Sequence, residues 1–177
     1  SIPEEKRKRI SAAELLHEIG TQIKDNNSIL ASAARKNVPL ICPAFVDSIA
    51  GFQLCTFGQD KTLRIDPFLD LNLLMDKVYE AKKVGIVMLG GGVPKHHMLI
   101  ANLLREGVDL AVQMTTDRPE PGGLSGASLE EAISWGKIRE KGRYATVICD
   151  ATIGFPLVMA AVLSSVRTRI RHPQVSR

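Results

Sequence analysis

The residues best suited to chemistry surround the single tryptophan of the chain, in the stretch EEAISWGKIRE at residues 130–140. Ser128 and Glu131 match a capping box, and Gly136 is a natural C-cap, so a short helix is predicted to end just before Lys137. The negative end of that helix would stabilise the ammonium of Lys137 and weaken it as a nucleophile. Desolvation would reverse this effect, and Trp135 is placed to supply an apolar wall or to stack against a bound cation. Two interpretations stay open, a nucleophilic lysine and an ordinary solvated one.

A glycine-rich segment, LGGGVPKHH at residues 89–97, joins a predicted strand to a predicted helix. Glycines let the backbone approach a ligand, and a helix N-terminus offers free N–H groups to phosphate. A dinucleotide pyrophosphate would fit, but the segment matches neither GxGxxG nor a Walker loop, so a plain tight turn is the alternative. His96 and His97 point about 100° apart on the first turn, so at most one readily faces a site. No carboxylate or cysteine recurs at ligand spacing, so no metal site is predicted.

Short β-branched segments alternate with helical patterns, which predicts an α/β fold with a mostly parallel sheet and crossover helices. The predicted strands cover residues 38–42, 61–65, 84–89, 108–114 and 145–149. The predicted helices cover residues 12–23, 28–36, 48–55, 68–83, 94–107, 128–135 and 153–166.

Ligands of such sheets bind outside the carboxyl ends of the strands. Polar and glycine-rich residues follow four of the predicted strands, at 43–47, 90–97, 115–126 and 150–151. Two aspartates, Asp47 and Asp150, come directly after strands. Each can accept the ribose hydroxyls of a nucleotide or can simply cap the next helix, and the sequence leaves both alternatives open.

The composition predicts one globular domain, because 177 residues with 45% apolar content can bury a core. The formal net charge of +4 is concentrated at the two ends, and no basic groove with interleaved aromatics is visible, so nucleic-acid binding is not favoured. No apolar run approaches the roughly 18–20 residues of a membrane span. The expectation is a cytoplasmic protein that does not bind a membrane.

Four motifs, in order and spacing, resemble the deoxyhypusine synthase family over residues 11–166: LGGGVPKHHMLIANLL, the loop TTDRPEPGGLSG, EEAISWGKI and VICDATIGFPLV. The resemblance implies a Rossmann-like fold between basic segments at residues 1–10 and 167–177. It also implies a homotetramer with active sites at subunit interfaces. The implied reaction is the NAD-dependent transfer of the 4-aminobutyl group of spermidine to a lysine of translation initiation factor 5A.

The resemblance also implies roles for individual residues. Lys137 would be the covalent nucleophile that captures an imine of the substrate, and His96 would assist proton movement. The residues implied to contact spermidine are Glu131, Trp135, Gly123 and Leu124. Those implied to surround NAD are Asp47, Gly90, Gly91, Thr116, Asp117, Ser125, Asp150 and Ala151.

Some positions depart from the family pattern. Pro121, Gly123 and Leu124 stand where eukaryotic members carry aspartates and a serine, while Phe52 and Ile100 replace an acid and an asparagine. The loop GGLSG is similar to the archaeal type. A less acidic pocket makes a homospermidine-forming relative the alternative enzyme, and a non-catalytic activating paralogue is a third possibility.

The family's first half, with its own cofactor segments, has no counterpart in this chain. The expectation is that a second polypeptide completes the fold, namely an N-terminal fragment of the same protein. The chain begins with Ser1, which fits cleavage of a longer precursor because a serine hydroxyl can attack the preceding carbonyl. Removal of an initiator methionine and truncation are the alternatives, and the sequence does not rank them.

Overall fold

The computed structural model describes residues 2–57 and 63–171, with side chains described as far as residue 167. These residues form two compact units that divide between Lys82 and Lys83. The predicted domain limits of 11–166 stay a prediction. Among the described residues, no helix has the length and apolar character that crossing a membrane requires.

The first unit consists of helices and loops. Its helices are α1 (Glu4–Arg7), α2 (Ala12–Gln22), α3 (Ile29–Arg35), α4 (Ile49–Phe57) and α5 (Pro67–Glu80), with a 3-10 turn at Phe45–Asp47. Ser11 and Glu14 form a capping box at the start of α2, and Ser28 caps α3, as the sequence predicts for Ser28. The hydrophobic core of this unit is formed by Ile10, Ala12, Leu15 and Phe45.

A buried carboxylate joins two helices of this unit. Asp70 of α5 is 4% exposed and accepts hydrogen bonds from the backbone N–H groups of Ala12 and Ala13, both at 3.1 Å. These two N–H groups lie in the first turn of α2, where no partner exists within the helix. Asp70 therefore satisfies the start of α2 and holds α5 against it.

Two predicted strands are not found among the described residues of this unit. Residues 38–42 are not in a strand. Pro39 lacks the N–H that a ladder requires, and no described segment pairs with these residues, so their apolar character alone does not make a strand. Of the predicted strand at 61–65, residues 61 and 62 lie outside the described residues, and Ile65 forms only an isolated bridge with Ile10. The prediction that Asp47 follows a strand is therefore wrong, since Asp47 ends the 3-10 turn.

The second unit is an α/β fold with a parallel sheet, as predicted. Its elements are β1 (Gly85–Leu89), α6 (Val93–Ile100), β2 (Val108–Thr115), α7 (Leu129–Ser134), β3 (Ile138–Ile148) and α8 (Ala151–Arg171), with a 3-10 turn at Leu103–Arg105. The strands lie in the order β1-β2-β3 and both pairs are parallel. Val87 pairs with Val112, and Val112 pairs with Ala145. The strand predicted at 145–149 begins earlier than expected, at Ile138.

Helices α6 and α7 cover one face of this sheet. Ile86 and Met88 alternate with exposed residues along β1 and pack against Leu99 of α6 and Leu129 of α7. Val108, Leu129 and Ile138 are buried to 1% exposure or less. This core packs α6 and α7 against the same sheet face, and it therefore fixes the positions of the side chains that lie between the two helices.

Helix α8 presents many apolar side chains to solvent. Those that are at least 45% exposed are Ile153, Leu157, Val158, Val162, Leu163 and Val166. Gly154 packs on Met114 of β2, where an added Cβ would lie 2.7 Å from the Met114 sulfur. One side of α8 therefore contacts the sheet, and a large apolar surface remains uncovered.

Candidate active site

The position of Lys137 is set by the way α7 ends. Ser128 Oγ accepts a hydrogen bond from the N–H of Glu131 at 3.3 Å, which is one of the two bonds of the predicted capping box. Trp135 is the C-cap, and Gly136 follows with φ of 69°, a left-handed conformation that suits glycine. The N–H of Lys137 donates to the carbonyl of Ala132 at 2.9 Å. The predicted helix end at Gly136 is confirmed.

Lys137 lies at the amino-terminal edge of the sheet. Its carbonyl accepts a hydrogen bond from the N–H of Val108, the first residue of β2, at 3.1 Å, and Ile138 begins β3. Its Nζ lies 5.4 Å from the ring centroid of Trp135, which is a cation–π distance. Trp135 is 63% exposed, so the ring contacts the ammonium but does not seal it from water.

A narrow cleft between α6 and α7, here called the helix cleft, brings the predicted amine-binding residues together. It encloses about 40 Å³. Five of the predicted catalytic and substrate-binding residues line it: His96, Leu124, Glu131, Trp135 and Lys137. Of the two adjacent histidines, His96 lines the cleft. Gly123 lies one residue outside it, in the same loop as Leu124.

The wall of the helix cleft also contains a lysine that sequence reasoning missed. Lys95 of α6 is 5% exposed, and its Nζ donates to Gln113 Oε1 at 3.0 Å, to the carbonyl of Leu124 at 3.3 Å and to that of Ala127 at 2.6 Å. Burial lowers the pKa of Lys95; the negative charge of Glu131 raises it and the positive charge of Lys137 lowers it. The signal in the sequence was Gln113, a polar residue inside the apolar strand VDLAVQM.

The carboxyl ends of β1 and β2 form a second group of predicted residues. Gly90 and Gly92 have φ of 80° and 79°, so this turn, here the glycine turn (residues 90–92), favours glycine at both positions. Between them, a Cβ added at Gly91 would collide with the backbone of Ser125. Ser125 belongs to the glycine loop (residues 121–127), so glycine at 91 permits the turn and the loop to touch.

An aspartate and a serine meet beside this contact. Ser125 Oγ donates a short hydrogen bond to Asp117 Oδ2, and this hydroxyl is the main reason that the pKa of Asp117 lies below its usual value. A Cβ at Gly123 would lie 3.7 Å from the same carboxylate oxygen. Thr116 is exposed next to them. The carboxyl ends of β1 and β2 thus present a carboxylate, a hydroxyl and a glycine turn in one place.

Asp150 and Ala151 follow β3 at the same edge. Asp150 Oδ1 accepts from the N–H of Thr152 at 2.8 Å and from its hydroxyl at 2.7 Å, and the hydroxyl is the largest cause of the lowered pKa of Asp150. Of the two alternatives from the sequence, the structure shows the helix cap. Among the described residues none donates to Oδ2 of Asp150, so a second acceptor is present.

Asp47, the remaining residue of the predicted cofactor set, belongs to the first unit, where it is exposed at the end of the 3-10 turn. Within the described ranges 2–57 and 63–171, no cluster of histidine, cysteine, aspartate and glutamate could hold a metal ion.

Comparison with known proteins extends these observations. The family model for deoxyhypusine synthase matches residues 1–162. A protein named as deoxyhypusine synthase 1 in Methanosarcina acetivorans is 45% identical over 170 residues, which are 96% of this chain and 51% of that protein. One in Archaeoglobus fulgidus is 47% identical over 150 residues, 85% of this chain and 49% of the relative. The chain spans about half the length of the curated relatives it matches.

A solved structure agrees with the sequence comparison. A crystal structure of a deoxyhypusine synthase from Entamoeba histolytica superposes with a TM-score of 0.65 at 25% identity, and the match covers 86% of this chain and 46% of that one. With a family model that matches 162 of 177 residues, the chain belongs to the deoxyhypusine synthase family.

Proposed function

We propose that this chain carries the lysine nucleophile of a deoxyhypusine synthase, which transfers the 4-aminobutyl group of spermidine to a lysine of translation initiation factor 5A. The observation that supports the proposal most is the helix cleft, in which Lys137, Trp135, Glu131 and His96 come together. An aromatic face, a carboxylate and an amine nucleophile are the groups that a reaction on a polyamine requires.

Two features of the cleft suit a cationic amine. Glu131 is exposed and can pair with an ammonium at one end of the substrate, and the ring of Trp135 offers a face for a cation. Leu124 is 44% exposed in the cleft wall and can contact the methylene chain. On this reading the substrate lies along the cleft, with its reacting carbon near Nζ of Lys137.

Lys137 acts by exchange of amines. Its neutral Nζ adds to the carbon of a substrate imine, the C–N bond to the leaving diamine breaks, and the enzyme is left with an imine at Lys137. The lysine of the protein acceptor repeats the exchange and frees Nζ. Each exchange moves protons between amines, and His96, on the first turn of α6 beside the cleft, is placed to accept and return one.

The carboxyl edge of the sheet fits NAD. The glycine turn lets the backbone approach a pyrophosphate. Asp117 and Asp150 offer carboxylate oxygens for ribose hydroxyls. The other residues proposed to surround the cofactor are Thr116, Ser125, Gly90, Gly91 and Ala151. When bound, NAD supplies the oxidation and the final reduction by accepting and returning a hydride. Asp47 is proposed to reach the same cofactor in the assembled protein.

A second polypeptide is part of the proposal. The chain spans half the length of its relatives, and α8 exposes an apolar surface of a kind that marks protein interfaces. We expect the N-terminal fragment of the same protein to cover it within a tetrameric assembly. Native mass spectrometry of the purified sample tests this directly, and a chain that stays alone and monomeric contradicts it.

A homospermidine-forming activity is the second candidate. The observation that favours it is Leu124, an apolar residue that lines the cleft and belongs to the loop in which the eukaryotic form is expected to carry aspartates and a serine. A less acidic cleft binds a dication less strongly, so a small amine such as putrescine would be the acceptor. Assays with factor 5A and with putrescine as acceptors separate the two activities.

Covalent trapping tests the proposal. The assembled protein is incubated with NAD and radiolabelled spermidine, reduced with borohydride and digested, and the label is mapped by peptide mass. Label is expected on Lys137, and Lys137→Arg should abolish it, whereas the control Lys141→Arg, an exposed lysine of β3, should not. Binding of both small molecules without label would instead indicate a non-catalytic activating paralogue.

A further inference from the structure

Two lysines line the helix cleft, and their surroundings differ. The Nζ of Lys95 has three hydrogen-bond acceptors, namely Gln113 Oε1 and the carbonyls of Leu124 and Ala127. An ammonium has three hydrogens, so each of them has a partner. Within the described residues, the Nζ of Lys137 has only the ring of Trp135. The Nζ of Lys95 is therefore engaged by three acceptors of the protein, and these hydrogen bonds oppose its use as a nucleophile.

Gln113 extends this network to the other side of the sheet edge. It is 1% exposed, and its Nε2 donates to the carbonyl of Gly90 at 3.2 Å and to that of Ser125 at 2.8 Å. The buried pair of Lys95 and Gln113 thus contacts the glycine turn through one carbonyl. It contacts the glycine loop through three, those of Leu124, Ser125 and Ala127.

The glycine loop has two functional sides. Leu124 and Ala127 line the helix cleft, while Ser125 faces Asp117 at the carboxyl edge. Because the loop is rich in glycine, its own backbone preferences do not select this position. Turn hydrogen bonds within the loop shape it locally, and the bonds from Lys95 and Gln113 attach three of its carbonyls to the protein interior.

We propose that Lys95 is a positioning residue: acting with Gln113, it holds the glycine loop in place, sets the width of the helix cleft above Lys137 and couples that cleft to the carboxyl edge of the sheet. The inference rests on the proposed function for what the cleft binds. Its structural part, that Lys95 orders the loop, is independent of the substrate.

Steady-state kinetics, combined with a count of the functional active sites, test the role in catalysis. Lys95→Met, in the assembled protein, removes all three donors. It should raise the KM for spermidine by about 10- to 100-fold, because a displaced loop misaligns the substrate. The number of sites is counted from borohydride-trapped label on Lys137. Lys95→Arg keeps a buried cation with several donors and should lie between Lys95→Met and the wild type. Lys83→Met, an exposed lysine of the same unit, should match the wild type.

Two outcomes overturn the inference. If Lys95→Met lowers the number of labelled sites but leaves the KM of the remaining sites unchanged, Lys95 serves only the stability of the fold. If label in the wild type maps to Lys95, then Lys95 is the nucleophile. Should Lys95→Met fail to fold, the Lys95→Arg variant decides between the same results.

Amide hydrogen exchange provides a readout that needs no substrate. Residues 121–127 are expected to exchange at least tenfold faster in Lys95→Met than in the wild type, with no such change in Lys83→Met. Unchanged exchange in this loop overturns the inference. If the loop exchanges faster but spermidine leaves no label on Lys137, the proposed function fails while the positioning role of Lys95 stands.

Discussion

The Nζ of Lys137 lies 5.4 Å from the ring centroid of Trp135, and the ring is 63% exposed. The ring face therefore contacts the lysine ammonium and is also accessible to an ammonium of the proposed substrate. Because both are cations, an ammonium of the proposed substrate would compete with Lys137 for this face.

Replacement of this ring tests that relationship. Trp135→Leu removes the aromatic face but keeps an apolar side chain, and we expect kcat/KM for spermidine to fall by about 2- to 5-fold or more, from a cation–π energy of about 0.5–1 kcal/mol. Trp135→Phe should lose less, since a ring face remains. Thermal unfolding should hardly change, because Trp135 is largely exposed. Equal kcat/KM in Trp135→Leu and the wild type would contradict a role for the ring.

The contact between the glycine turn and the glycine loop makes a second prediction. Gly91→Ala would place a Cβ against the backbone of Ser125, so the turn and the loop must separate. We expect NAD affinity to fall by about tenfold or more, measured by calorimetry on the assembled protein. Gly85→Ala is the matched control, since a Cβ there lies 3.6 Å from its nearest neighbour, in ordinary contact, and should leave affinity unchanged.

The buried carboxylate of the first unit predicts a loss of stability. Asp70→Ala leaves the N–H groups of Ala12 and Ala13 without their partner, and we expect the free energy of unfolding to fall by about 2–4 kcal/mol in urea. Asp76→Ala, an exposed aspartate on the same helix, should change it by less than about 0.5 kcal/mol. Similar losses in the two variants would show that Asp70 does not hold the start of α2.

The pH dependence of stability should report on Asp109. The N–H of Val84 at 2.8 Å, and then the guanidinium groups of Arg105 at 3.3 Å and Arg139 at 3.0 Å, hold the pKa of Asp109 below its usual value. Because the folded state binds this proton less tightly than the unfolded state, the contribution is complete above about pH 4 and is lost as pH falls through the lower folded pKa.

Urea unfolding at pH 6 and at steps down to pH 2.5 measures this effect. Asp109→Asn should be less stable than the wild type at pH 6, and its stability should fall less steeply below pH 4. The exposed Asp76→Asn should follow the wild-type curve. Parallel curves for Asp109→Asn and the wild type would contradict the assignment.

Local signals in the sequence were sufficient for several elements. Ser28 and Ser128 are helix N-caps and Gly136 ends α7, as predicted, because capping involves residues within one turn of each other. The strands β1 and β2 also lie where β-branched runs predicted them, and both are flanked by crossover helices. The parallel α/β fold and the family followed from these elements and from the order of four motifs.

The residues 38–42 show the limit of such signals. They are as apolar as β1, but a strand exists only when a distant segment supplies hydrogen bonds, and a window of five residues contains no information about that partner. The prediction that Asp47 directly follows a strand failed with them. Lys95 was missed for a related reason, since its burial depends on acceptors 18 to 32 residues away.

The sequence by itself thus determined which residues are candidates for the chemistry, namely a lysine after a tryptophan and glycine, a histidine pair after a glycine turn, and Asp150 after a strand. Only the tertiary structure decided how these groups combine. It placed Lys137 at the amino edge of the sheet and its side chain in the helix cleft, and it joined that cleft to the carboxyl edge through Lys95 and Gln113. The physical reason is that caps and turns arise from neighbours in the chain, whereas burial and shared hydrogen bonds arise from packing between distant segments.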